Sequence, residues 1–168
     1  MVHYDQKKNA EVYTPDGKHY DLDNLILKLH KIGFSVRLCV MMLKGYIDNP
    51  DKVERLLGFC KANKVEQLTL RPITPSDVTE SPEVTKWTKD HACSEVRTQN
   101  IVNYIQMHST LIQHLMHGMD VYDFEGQNVC LGNCLTLDTN GKDELRSLIF
   151  FPEGSLYWDW QYKGARIL

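Results

Sequence analysis

The chain has 168 residues, 42% of them hydrophobic, and a net charge of -3 with no long run of one sign. Length and composition fit one globular domain, or one small domain with an appendage, and exclude global disorder. The charge balance disfavours nucleic-acid backbone binding as the main activity, and the longest apolar stretch is too short to span a bilayer. The N-terminus, MVHYDQKKNA, is polar and carries no secretory pattern, so a cytoplasmic address is the default expectation.

The first residues, MVHYDQKKNAEVY, open without a strand before them, and Thr14-Pro15-Asp16-Gly17 is a turn signal. Asp21 begins a helix with Leu22, Leu25, Ile26, Leu29 and Ile32 on one face, and Gly33 stops it. Val36 to Leu43 is an apolar run interrupted only by Arg37, the pattern of a strand buried on both faces in a parallel sheet. Asn49 caps a helix with Pro50 in its first turn, where the missing N–H costs nothing. Val53, Leu56, Leu57 and Cys60 line one face of that helix, and Asn63 stands where a C-cap belongs. Val65 to Leu70 is a second strand. Residues 33–75 therefore read as a βαβ unit with a right-handed crossover. Two parallel strands and two helices leave sheet edges and apolar faces open to water, so other elements have to complete the layer.

After Pro75 the character changes. The segment TPSDVTESP is a connection, and Ser81 with Pro82 starts a short helix. A longer helix is expected from Ser94 to His117, with Ile101, Ile105, Ile112, Leu115 and Met116 on its apolar face and Gly118 as its stop. The remainder reads as antiparallel strands joined by turns. Val121 to Phe124 leads through a turn at Glu125-Gly126 into Asn128 to Leu137, and an Asn140-Gly141 turn precedes Leu145 to Phe151 and Ser155 to Tyr162. In the last strand Leu156, Trp158, Trp160 and Tyr162 alternate with Tyr157, Asp159 and Gln161, so the aromatic cluster reads as sheet packing. The expected organisation is 1–75 as an α/β segment, 76–118 as a helical connection and 119–168 as an antiparallel β extension.

Several residues are candidates for chemistry. Arg37 and Cys39 are two apart on a strand and share a face. An arginine in an apolar run needs a partner, either an acid on a neighbouring strand or a bound anion. Lys44 and Gly45 open the loop after that strand. Arg71, pinned by Pro72, closes the second strand on the face of Thr69 and is a candidate anion contact. The five cysteines, Cys39, Cys60, Cys93, Cys130 and Cys134, are odd in number and argue against a disulfide framework. Cys39 and Cys60 read as core residues. His91 and Cys93 form H-x-C, His114 and His117 form H-x2-H, and Cys130 and Cys134 form C-x3-C. The zinc-deaminase pattern needs H-x-E and P-C-x2-C, which the chain lacks. In one strand, Cys130 and Cys134 would stand roughly 13 Å apart, and only a turn at Gly132-Asn133 would bring that segment back.

The stretches HYDQKKNAEVY and VRLCVMMLKGYIDNPDKVERLLGFCKANKVEQLTLRP resemble the radical SAM family over roughly residues 2–75. Members commonly show the end of a fourth barrel strand, a helix, a fifth strand entering a lysine-glycine or arginine-glycine loop, a helix, and a sixth strand ending near an arginine. FEGQNVCLGNCLTLD and WDWQYKGARIL look like a tail that accompanies some members. The resemblance implies the C-terminal half of a partial (β/α)6 TIM-type barrel, followed by helices and a small antiparallel β-meander. It also implies S-adenosylmethionine and a [4Fe-4S] cluster, which reduces and cleaves that cofactor to a radical that abstracts a substrate hydrogen. The cluster's usual C-x3-C-x2-C loop is absent, since position 137 is leucine. The resemblance therefore implies a chain inactive alone, with the cysteine-bearing N-terminal half-barrel either supplied by a partner chain or lost to a truncated start. It places His3, Tyr4 and Asp5 at the rim that contacts the cofactor's ribose and amino-acid portions, against the plain reading of exposed N-terminal residues. His3, Arg37 and Arg71 are the expected cofactor-binding residues, with Arg37 on the cofactor carboxylate. The alternatives are a non-catalytic binding or relic module, and a small metal-binding α/β protein using His91, Cys93, Cys130 and Cys134.

Overall fold

The computed structural model describes residues 1–17, 20–74, 81–115, 118–132, 148–158 and 163–168. Helix α1 (Gln6–Tyr13) starts at Asp5, whose side chain accepts the Lys7 N–H, and α2 (Leu22–Lys31) starts at Asp21, which accepts from Asn24. Strand β1 (Arg37–Met42) leads into α3 (Pro50–Ala62), where Asn49 caps the Lys52 N–H and Pro50 opens the first turn. Strand β2 (Gln67–Pro72) follows, then α4 (Pro82–His91) and α5 (Glu95–His108). Strands β3 (Thr110–Leu115), β4 (Met119–Phe124) and β5 (Gln127–Leu131) complete the sheet. The short strands β6 (Ile149–Phe150) and β7 (Leu156–Tyr157) and a 3-10 turn at Lys163–Ala165 close the chain.

The helix expected to run to His117 ends at His108, and Thr110–Leu115 is a strand. Ile112 and Leu115 satisfy a helical spacing, but His-Ser-Thr interrupts it, and Ser109 takes extended backbone while its hydroxyl donates to the Ile105 carbonyl. Pairing with β4, from Thr110 opposite Asp123 to Leu115 opposite Met119, decides the outcome. Tertiary pairing overrides weak local preference here. Met116 and His117 lie outside the described residues.

Two compact units are formed, Met1–Ile73 with His91–Cys134, and Thr74–Asp90 with Leu135–Leu168. The first holds a five-stranded sheet in the order β1-β2-β5-β4-β3. Strands β1, β2 and β5 are mutually parallel, and β4 and β3 add antiparallel. The architecture is thus mixed α/β, and the described strands form an open sheet rather than a closed barrel. Strand β5, expected in an antiparallel extension, pairs with β2 through Gln67 opposite Asn128 to Leu70 opposite Leu131. The second edge of β2 is in this way satisfied from within the chain, as a strand buried on both faces requires.

Alternation divides the side chains into two faces. Leu38, Val40 and Met42, Leu68 and Leu70, Val129 and Leu131, with Tyr122 and Phe124, join Val53, Leu56, Leu57 and Cys60 of α3 and Ile101 and Ile105 of α5 in one core. Leu22 and Ile26 bring α2 to the same core. The other face carries Arg37, Cys39, Gln67, Thr69, Arg71, Asn128 and Cys130, and the sequence contrast between the faces is the strict period of two.

In the second unit β6 and β7 pair antiparallel, with Ile149 opposite Tyr157 and Phe150 opposite Leu156. Phe151 meets Tyr157 edge-on at 5.1 Å. The expected long strand from Ser155 covers only Leu156–Tyr157 among the described residues. Trp160, Tyr162 and the Asn140-Gly141 turn lie outside them. No helix among the described residues is long and apolar enough to cross a membrane.

Candidate functional site

In open sheets with parallel strands, ligand-binding side chains collect at the C-terminal strand ends and on the loops that leave them. Here that rim is built by Met1–Asp5, by the loop from Leu43 to Asn49, and by the segment from His91 to Arg97. The Met1 ammonium donates to the Cys39 carbonyl at 3.0 Å, and the Met41 N–H donates to the Met1 carbonyl at 2.8 Å. These two bonds are one step of a parallel ladder, with Met1 beside Val40. Burial lowers the ammonium pKa below its ordinary value.

Asp48 anchors the rim. Its side chain is 2% exposed and accepts from four groups. Oδ1 takes Lys52 Nζ at 2.7 Å and Asn49 Nδ2 at 3.2 Å, while Oδ2 takes the Gly45 N–H at 2.8 Å and the Arg97 guanidinium. Lys52 also donates to the Gly45 carbonyl at 3.0 Å. Leu43 bridges Ala92, and the Lys44 N–H reaches the His91 carbonyl at 2.9 Å. Burial pushes the Asp48 carboxyl up, but the hydrogen bonds from Lys52 and Gly45 and the charges of Lys52 and Arg97 prevail, and it is held below the ordinary value. With its oxygens so committed, Asp48 braces the rim and is not placed to act as a general base. Asp48, Lys52 and Arg97 are not among the residues that sequence patterns single out. The i,i+4 spacing of Asp48 and Lys52 is the one local signal, and Arg97 arrives only through the tertiary fold.

His3 is buried on this rim. Its Nδ1 accepts the Asp5 N–H at 2.9 Å, its ring stacks on Tyr4 with centroids 4.5 Å apart, and Tyr4 stacks on Phe59 at 5.0 Å. The exposed N-terminal reading does not hold for His3, which is 6% exposed. Burial, with the charges of Lys8 and Lys52 adding to it, lowers its pKa against the opposing pull of Asp5 and Glu11. A lowered folded-state value means that the unfolded chain binds the proton more readily. The contribution of His3 to stability is therefore fully present above about pH 6.5 and is lost as pH falls through the lower folded-state value. An NMR titration of the His3 ring should find a midpoint below about 6.5.

Register settles the positions of the arginines. Arg71 lies opposite Met41 at the C-terminal end, whereas Arg37 lies opposite Gln67 at the other. Four residues separate the two along the strands, roughly 13 Å, so they do not converge on one small anion. Arg37 is exposed and makes no ion pair among the described residues. Between the arginines runs a row across three parallel strands, Cys39, Thr69 and Cys130. The outer two are roughly 10 Å apart by strand spacing, too far for a disulfide. Thr69 is 3% exposed and its hydroxyl has no hydrogen-bond partner among the described residues. A buried hydroxyl without a partner is uncommon and marks a face shaped for a polar neighbour.

The other candidates are dispersed. His114 is exposed and pairs with Asp120 across the β3–β4 ladder at 2.6 Å, while its sequence partner His117 lies outside the described residues. Cys93 is half-buried, and burial and Asp48 raise its thiol pKa against Arg97 and Lys52, which does not suit a nucleophile. Cys60 is core, its thiol pushed up to about 12 by burial. Cys134 lies outside the described residues. Among those described, no three His, Cys, Asp or Glu side chains converge to hold a metal ion. No protein-family model, curated protein or solved structure matches the chain.

Proposed function

We propose that this chain supplies the C-terminal half of a radical SAM-type barrel, inactive without a cysteine-bearing half. The observation that carries the reading is the parallel step between Met1 and β1, which presents β1 as a strand with a neighbour on its outer side. The βαβ unit formed by β1, α3 and β2, with its helices on one face and polar side chains on the other, has the layering of a barrel wall. The described residues do not fit an iron–sulfur cluster, because no three thiolates meet among them, so the cluster falls to the cysteine-bearing half. S-adenosylmethionine, when bound, would supply the radical chemistry. This chain's contribution is the polar wall, with the Thr69 hydroxyl as hydrogen-bond partner and Arg71 as the anion contact at the rim, while His3 stands on the helix side of that rim through its stack with Tyr4 and Phe59. Arg37, at the far end, is kept from the same carboxylate by the strand register.

Co-expression with a half-barrel chain bearing C-x3-C-x2-C tests the proposal. A brown, co-purifying complex with iron–sulfur absorbance and S-adenosylmethionine affinity is expected. A colourless chain that associates with no such partner would sink it. Thr69→Val gives a finer readout. In the chain alone it should stabilise by about 1 kcal/mol, since it removes a desolvated hydroxyl without changing shape. In the complex it should weaken S-adenosylmethionine binding about fivefold. Stabilisation by denaturant melts together with unchanged cofactor affinity would assign Thr69 to the fold alone.

A further inference from the structure

Strand β3 stands at the free end of the sheet order β1-β2-β5-β4-β3, so one side of it meets β4 and the other turns backbone N–H and C=O groups outward. All six of its residues are exposed, and three of them, Leu111, Ile112 and Leu115, are large and apolar. Met107, in the last turn of α5 just ahead of the strand, is exposed as well. Edge strands are ordinarily guarded by lysine, proline, an inward charge or a bulge. Thr110–Leu115 contains no lysine, arginine, acid or proline. Its bulge, between Leu111 and Gln113, leaves Ile112 without a register partner on β4 and 56% exposed. His114 is the one titratable residue of the strand, and Asp120 of the same hairpin meets it at 2.6 Å, so its charge is answered within the chain.

We infer that β3 is a self-association edge, on which a second copy of this chain adds its own β3 antiparallel and joins the two sheets into one. Charge and symmetry select a second copy as the occupant. A strand free of net charge does not repel its own copy, and it gives a charged strand nothing of opposite sign to pair with. Antiparallel pairing of one strand with itself has two-fold symmetry, so the contact is isologous and closes at two chains. The outward backbone groups of both copies are then satisfied, and Leu111, Ile112 and Leu115 lose their exposure against the same residues of the partner. Two edges about 20 Å long cover less than the roughly 1,600 Å² of a standard stable interface, which makes the dimer weak, with Kd on the order of 100 µM. The edge lies at the opposite end of the sheet from β1 and does not rest on the radical SAM reading.

Sedimentation velocity of the full chain, from about 10 µM to about 1 mM, should follow a monomer passing into a dimer. Over the same range amide exchange read by NMR should slow about fivefold within Thr110–Leu115, while the amides of Arg37–Met42 keep their rates. Ile112→Lys sets two ammonium groups at the shared edge and should weaken the dimer at least about tenfold. Because Ile112 is exposed, that variant should melt like the parent chain. Leu27→Lys, at a 50% exposed position of α2, should leave the dimer unchanged. A chain that stays monomeric over the whole range, exchange protection that falls outside β3, or a dimer that survives Ile112→Lys would overturn the inference.

Discussion

Asp48→Ala should destabilise the chain by about 3 kcal/mol, with the loss visible as a shifted denaturant midpoint at neutral pH. The carboxylate is buried and holds three separate pieces of backbone: the Gly45 turn, the first turn of α3 through Lys52, and the start of α5 through Arg97. Removal leaves the Gly45 N–H without its acceptor and two cations drawn toward an empty position. The cost is held below the upper range for buried pairs because Lys52 and Arg97 are 30% and 49% exposed and can recover water. The pH dependence follows from the lowered carboxyl pKa. Above the unfolded-state value of about 3.9 the full contribution is present, and it is lost as pH falls through the lower folded-state value. The wild-type chain should therefore lose the Asp48 contribution below about pH 4, and Asp48→Asn should flatten that part of the curve. Identical acid limbs for the two proteins would show that Asp48 does not carry the titration. Arg97→Met and Lys52→Met should not add independently, since both act through one carboxylate.

Ile105→Ala should cost about 3 kcal/mol, although the sequence pattern assigns it to a connection between two structured parts. Ile105 and Ile101 are both 0% exposed and pack in the core with the sheet and α3. Truncation removes buried methyl groups and leaves a cavity among close-packed neighbours, which relax only in part. Val96 on the same helix is 69% exposed, so Val96→Ala should change stability by less than about 0.5 kcal/mol. Thermal or urea melts of the two variants decide the matter. Equal, small effects would mean that α5 is a tether on the sheet rather than part of its core.

The elements of residues 21–72 are legible in the sequence because each is specified locally. Asp21 and Asn49 are helix caps, Pro50 suits a first turn, and the apolar positions of α3 recur at helical spacing. Residues 109–115 are not legible in the same way. Ile112 and Leu115 fit either a helix or a strand, and the choice rests on β4, which offers backbone partners that sequence spacing does not contain. The candidate site shows the same division. Arg71 and Thr69 are found by alternation along one strand. That Arg37 stands at the opposite end of the sheet requires the register of β1 against β2. Cys130, read with Cys134 as a metal pair, stands opposite Thr69 across a parallel ladder, a neighbour that only the register supplies, while Cys134 lies outside the described residues.

By itself the sequence determined the mixed α/β character, the βαβ unit and the two faces of its strands, because capping, helical spacing and alternation act within a few residues. Only the tertiary structure decided that β5 joins β2, that α5 belongs to the core, and that Asp48 ties three segments together. Those features are made by backbone partners and packed surfaces far apart in the chain. No local pattern carries them, since a hydrogen-bonding edge looks alike in sequence whether its partner is near, distant or another molecule.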